Sequence, residues 1–360
     1  MTTNTQVDQF DAAKAEAFAD QLVGAINGAS VVALTSIGSR AGLFEAMAGG
    51  PAATSREIAE AAGLDERYVR EWLGGMVVGK VIDYDASTQT YRLPPEHAAF
   101  LTEEAGPNNL SVLAQVFPYF GVVQEELVAS FQNGGGVPYE SYPDFQVMQA
   151  RTTTAYLDAS LVQAVLPLAP GVVDALQSGA EALDIGTGAG HAVNVMAAAF
   201  PNSRFTGYDF SADGIALGRE ESERMRLTNT RFEVRDIANL GATSQYDLIT
   251  AIELVHDLAR PLDVLRGVYD SLKPDGTFLV VDIAASSLLE ENMDHPLGPT
   301  LYTFSVYHCM TVSLAQGGVG LGTVVGEQKV TELLHEAGFR HVEVKHIEGD
   351  IFYAYYIAKK

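Results

Sequence analysis

The chain runs to 360 residues, 47% hydrophobic and 19% charged, a composition that excludes a disordered chain and allows about two domains with a sizeable core. Its 46 acidic side chains outnumber 22 basic ones for a formal charge of −24, and a field of that sign repels nucleic acid and anionic membrane surfaces as partners. One cysteine, Cys309, rules out an intramolecular disulfide framework and a Cys-based zinc site.

In chain order, MTTNTQVDQF carries neither a basic segment nor an apolar run, so no signal peptide is expected. No stretch reads as the roughly 20 apolar residues of a membrane span, and a cytoplasmic protein is the expectation. Phe10, Phe18, Leu22 and Ile26 open an Ala-rich helix, and VVALTSIGSRAGLFEAM reads as a second, largely buried helix pair. Thr54-Ser55 caps REIAEAA, with Ile58 rather than an acid three residues after Ser55, and Asp65 caps ERYVREWLGGM. Segments 81–84 and 90–93 alternate around Asp85-Ala86-Ser87 as a hairpin does. Helix, turn, helix and hairpin in that order form a winged helix-turn-helix over 1–100. Its apolar residues exceed what one such module needs, which points to a two-fold symmetric homodimer.

Residues 101–180 are helical again, interrupted by Gly134-Gly135-Gly136, Pro138 and Pro143, and dense in aromatic residues from Phe117 to Tyr156. This stretch reads as a linker that is either a pocket lid or interdomain packing. From Glu181 to Lys360 strand and helix alternate: EALDIG, RFTGYD, RFEVRD, YDLITAI and TFLVVDIA are strands, and HVEVKHI and FYAYYIA close the chain without a helix between them. The expected fold is α/β: a doubly wound, Rossmann-like, mostly parallel seven-stranded sheet with a final antiparallel strand, behind the mainly helical winged-helix domain.

Asp184-Ile185-Gly186-Thr187-Gly188-Ala189-Gly190 joins a strand to a helix. Its spacing is GxGxG rather than the GxGxxG of dinucleotide binders, and an acid two residues ahead of the first glycine repels pyrophosphate but suits a cationic ligand. Asp209 ends the second strand of this domain, where a carboxylate can accept both hydroxyls of a ribose, and Asp236 ends the third, within reach of an adenine amino group. Each alone reads as a loop carboxylate. Three acids at the ends of successive parallel strands read as one crevice.

With ALDIGTGAG, FTGYDFS and VRDI in place, residues 181–283 resemble a class I S-adenosylmethionine-dependent methyltransferase. The preceding winged helix and the late GEQKVTELLHEAGF helix resemble bacterial and plant small-molecule O-methyltransferases with an N-terminal dimerisation domain. The resemblance implies S-adenosyl-L-methionine as cofactor. Asp184, Gly186, Thr187, Gly188 and Gly190 would hold its methionine end, Asp209 its ribose and Asp236-Ile237 its adenine, with Phe210 on the adenine face and Glu253 also at the cofactor. His256 follows the fourth strand in ELVHDL and resembles the His-Asp whose His is the family's base. Asp282 stands where the family's orienting acid stands. Leu258 replaces the usual Trp, and SLAQGGVGLGT shows no counterpart of the family's second acid. Without that role, His256 reads as a helix-start residue tied to Asp257 or a carbonyl.

Tyr302 and His308 lie in a helical stretch expected to roof the acceptor pocket, although a lone His on an apolar face also reads as core. Cys309 reads as buried packing. His295, His335, His341 and His346 lack ligand spacing, so no metal is expected. The expected activity is methyl transfer to a small-molecule acceptor, a hydroxyl of an apolar or aromatic compound. N- or C-methylation in the same pocket is an alternative, as is a ligand-sensing winged-helix transcription regulator. The regulator reading sits poorly with Glu66 and Glu71 beside Arg67 and Arg70 in the recognition-helix candidate.

Overall fold

The computed structural model describes residues 10–360, which divide into two compact units after Tyr119. The stretch read as a linker is shared between them, 101–119 in the first and 120–180 in the second.

The first unit opens with α1 (Ala12–Arg40), whose first turn is capped by the Asp11 carboxylate accepting from Ala13 and Lys14 N–H at 3.0 and 3.2 Å. It is one continuous helix of 29 residues where the sequence suggested a break. Gly24 and Gly28 weaken a helix by about 1 kcal/mol each, but only proline would end it. Phe10 lies ahead of the helix, and Phe18, Leu22, Val23 and Ile26 stand exposed along it. From Gln21 to Ser39 the helix carries no charge, so by length and composition it is apolar enough to cross a bilayer. That corrects the sequence reading, in which no stretch approached the length of a membrane span. Its C-terminal turns are covered within the unit, with Thr35, Ser36 and Gly38 buried.

α2 (Leu43–Met47), α3 (Ser55–Ala62) and α4 (Glu66–Val78) follow. The N-cap of α3 is Thr54, and Glu57 closes a capping box that the sequence reading, centred on Ser55, overlooked. The core joins Leu43, Phe44, Val69, Trp72, Leu73 and Met76, and the Trp72 indole N–H donates to the Leu34 carbonyl at 2.8 Å. Strands β1 (Asp83–Asp85) and β2 (Thr90–Arg92) pair antiparallel as the wing, with Tyr84 opposite Tyr91. On α4 the two arginines pair with its own glutamates, Arg67 with Glu71 and Arg70 with Glu66. Its outer face is therefore charge-balanced.

The second unit is a seven-stranded sheet of β3 (Glu181–Ile185), β4 (Arg204–Asp209), β5 (Thr230–Val234), β6 (Tyr246–Ile252), β7 (Leu272–Ile283), β8 (His341–Lys345) and β9 (Tyr353–Lys359), in the order β5-β4-β3-β6-β7-β9-β8. The first five run parallel, and β9 inserts antiparallel between β7 and β8. Period-two alternation divides the side chains between two faces. Leu183, Ile185, Ile249, Phe278 and Val280 pack on one side under Pro261–Ser271 and Gly326–Ala337. Ala182, Leu248, Leu279, Val281 and Ile357 pack on the other with Val172–Ser178 and His191–Ala199. Both faces covered is the condition that makes parallel strands read as apolar runs.

Candidate active site

Parallel strands in adjacent positions end together, and here the chemistry-bearing residues collect at the carboxyl ends of β4, β3, β6 and β7. Asp184 pairs across the ladder with Thr250 of β6. The Thr250 hydroxyl donates to the Asp184 carboxylate at 2.6 Å, while burial pushes that carboxyl up to about 6. Beyond β3 the chain turns through Gly186, Gly188 and Gly190, all left-handed, with φ of 66°, 54° and 73°. A side chain there would be strained, and a Cβ at Gly190 would lie 2.5 Å from the Phe232 ring. The turn is tied to β4 by Thr187 N–H on the Tyr208 carbonyl at 3.0 Å, and by Gly188 N–H on the Asp209 carboxylate at 2.8 Å. Asp209 also accepts from Ser211 N–H at 2.8 Å. Burial raises its carboxyl above the usual range, against these backbone donors.

The fit to S-adenosylmethionine is tested by what this turn leaves open. Thr187 Oγ1 is buried without a hydrogen-bond partner, and among the described residues no cationic side chain is paired with the buried acids Asp184 and Asp209. A hydroxyl-rich, cationic ligand supplies what both lack, so the residues fit. Phe210 is 55% exposed next to Asp209, with its ring 5.1 Å from that of Tyr139. Asp236 sits apart from the buried acids. It is exposed, caps its own turn through Ala238 N–H at 2.9 Å, and lies 3.6 Å from Arg260. Ile237 packs against the core.

Glu253 follows β6 in the left-handed region at φ 51°, a strained position for a non-glycine residue. It is held by its N–H on the Val281 carbonyl at 2.8 Å, by Gln149 at 2.5 Å and by the Tyr353 hydroxyl. Burial raises its carboxyl, with the Tyr353 hydrogen bond opposing. Gln149 and Tyr353 escaped the sequence reading because both reach Glu253 from about a hundred residues away.

His256 follows in a short turn, 5% exposed. Its Nδ1 donates to the Asp282 carboxylate at 2.5 Å, and Asp282 also accepts from His256 N–H at 3.2 Å and Ile283 N–H at 2.8 Å. In the neutral ring the lone pair then lies on Nε2, 3.4 Å from the Asp257 carboxylate, and in the charged ring Nε2 carries the second proton. Burial by itself would lower the ring's pKa, but the Asp282 and Asp257 carboxylates overcome it and hold the ring well above its ordinary range. His308 is the opposite case. Burial pushes it down to about 4, so the ring is neutral, and its Nε2 has no hydrogen-bond partner. It stacks on Phe145 with ring centres 4.1 Å apart and 5° between planes, and Tyr139 and Tyr142 meet it edge-on. Tyr302 lies half-buried on Gly298–Phe304, the helix before the His308 turn.

Of the stretch read as a lid, 139–145 supplies this aromatic enclosure, and Phe145–Ser160 carries Gln149 to Glu253. The glycine run has a packing reason as well. A Cβ on Gly136 would lie 1.9 Å from the Thr311 carbonyl, next to where Val137 N–H meets the Thr311 hydroxyl at 2.9 Å.

Residues 176–338 match a methyltransferase domain family, and residues 29–103 match an Rv2258c-like winged HTH domain. The erythromycin 3''-O-methyltransferase of Saccharopolyspora erythraea is 27% identical over 228 residues, 59% of this chain and 70% of that protein. Among solved structures, mitomycin 7-O-methyltransferase superposes with a TM-score of 0.70 at 20% identity, over 97% of this chain and 100% of that one. Human N-acetylserotonin methyltransferase, in complex with SAM, gives 0.68 at 18% identity, over 98% and 99%. The parallel sheet, the glycine turn and its acids define a methyltransferase that uses S-adenosylmethionine as cofactor. More narrowly, the winged HTH match lies ahead of the methyltransferase match in the same chain.

Proposed function

We propose that the enzyme methylates a hydroxyl of a small apolar or aromatic acceptor, with His256 as general base and Asp282 as its orienting acid. The observation that carries this reading is the buried His256–Asp282 pair, which fixes the tautomer and leaves Nε2 to take a proton. In this reading Asp184, Glu253 and the glycine turn hold the methionine end of the cofactor, Asp209 the ribose, and Phe210, Asp236 and Ile237 the adenine. When bound, S-adenosylmethionine supplies an electrophilic methyl on a sulfonium sulfur. His256 removes the acceptor proton, and Asp282 stabilises the imidazolium that results. Tyr302 and the face formed by Phe145, Tyr139, Tyr142 and His308 would enclose an apolar acceptor and exclude water.

The test is a panel of phenols, aliphatic alcohols, anilines and activated carbon acids incubated with the enzyme and isotopically methyl-labelled cofactor. Label in an O-methyl ether is the expected result. Label only in N- or C-methyl products would replace the reading with the corresponding one.

The exposed apolar residues Phe18, Leu22, Val23 and Ile26 of α1 support a homodimer formed through the N-terminal unit. Light scattering at micromolar concentration should give twice the 38.5 kDa chain mass, and Leu22→Glu with Ile26→Glu should give the monomer. A wild-type monomer would end the dimer reading. The buried free thiol of Cys309 suits the reducing cytoplasm, where we place the enzyme.

A further inference from the structure

The candidate base has neighbours that proton transfer does not use. His256, Asp257 and Cys309 each offer a potential ligand atom, and these atoms all lie within 4.8 Å of one another. Asp257 Oδ1 is buried there without a hydrogen-bond partner. Cys309 Sγ accepts from the Thr323 hydroxyl at 3.0 Å, while burial and the Asp257 carboxylate push the thiol up to about 11, so a bound cation is what would draw off its proton. The fold, and not the sequence spacing, makes this group. Asp257 adjoins His256, but Cys309 arrives from the irregular helical turn Ser305–Cys309. A single cysteine excludes a site built of cysteines alone and leaves a mixed one open.

Imidazole nitrogen, carboxylate oxygen and thiolate sulfur together are the ligand set of zinc, whose bonds of about 2.0–2.3 Å put tetrahedral ligand atoms well inside that spacing. Calcium and magnesium prefer oxygen alone and would not use the sulfur. We propose that His256 Nε2, Asp257 Oδ1 and Cys309 Sγ form a binding site for a thiophilic divalent cation, zinc above all, which blocks the enzyme reversibly by occupying the base. Binding displaces the thiol proton and the Nε2 proton to solvent, and no group is oxidised or reduced. The inhibitory part rests on His256 as base, whereas the site itself does not.

Cobalt(II) as a spectroscopic stand-in separates the two. Titrated into the full-length protein without any acceptor, cobalt should give a thiolate-to-metal charge-transfer band at one ion per chain, and zinc should bleach it. Cys309→Ala should lose the band and lower zinc affinity at least about 10–100-fold, the cost of disturbing even an outer-shell partner. It should keep binding S-adenosylhomocysteine, which also reports that it is folded. Asp257→Asn should weaken zinc while retaining the band. Absence of the band in wild type, or its persistence in Cys309→Ala, overturns the site. With an acceptor in hand, micromolar zinc should stop wild-type turnover and spare Cys309→Ala. Equal inhibition of both would overturn the inhibitory role.

Discussion

His256→Ala should slow turnover by about 10²–10⁴-fold, the contribution of a positioned general base, while leaving affinity for S-adenosylhomocysteine unchanged. The ring sits between two carboxylates that raise its pKa well above the ordinary imidazole value, and the base form is the neutral one. The wild-type rate should therefore climb with pH, with its midpoint shifted above about 6.5, the unperturbed histidine value. That limb should vanish in the variant. Asp282→Asn should act in the same direction. An amide presents either donor or acceptor to Nδ1 and no longer enforces the tautomer, and the limb should fall toward lower pH as one raising carboxylate is lost. Rates and pH profiles of the three forms with one acceptor decide the matter. A variant within threefold of wild type, with the same profile, would make His256 a structural histidine and remove the main support for a hydroxyl acceptor.

The second large effect falls on the cofactor. Asp209→Ala should weaken S-adenosylhomocysteine by roughly 30–150-fold, about 2–3 kcal/mol for a lost pair of charge-assisted hydrogen bonds. The carboxylate also accepts from Gly188 and Ser211 N–H, so part of the loss comes through the turn itself. Asp209→Asn retains the side-chain volume and one acceptor and should fall between. Calorimetric titration gives the affinities, and a melting curve for each variant separates lost binding from lost fold. Asp236→Ala should cost far less than Asp209→Ala, because that carboxylate is exposed and already engaged with Ala238 N–H and Arg260. Unchanged affinity in Asp209→Ala would remove the ribose assignment.

Local chemistry explains what the sequence determined by itself. Apolar runs with period two, caps at Asp65 and around Thr54, and glycines between a strand and a helix each depend on residues a few positions apart, so the winged helix, the alternating strands and the glycine turn were legible. So was the single antiparallel strand, because two closing strands without a helix between them leave little alternative. Errors came where local signals were weak: a helix opening at Phe10 and a second starting at Val31 are one continuous α1, joined by helix propagation, and the capping box was read one residue late.

Only the tertiary structure decided which groups meet and what charge they carry. Asp184 with Thr250, Glu253 with Gln149 and Tyr353, His308 within the ring of Phe145, Tyr139 and Tyr142, and Cys309 beside His256 and Asp257 all join segments far apart in the chain. The sequence places Asp184, Asp209 and Asp236 alike at strand ends, yet burial sets the first two apart from the exposed third. Two histidines in similar helical turns likewise diverge, one raised by flanking carboxylates and the other lowered by an apolar enclosure. Desolvation and charge proximity are properties of the packed neighbourhood, and that neighbourhood exists only once sheet order brings β6 between β3 and β7.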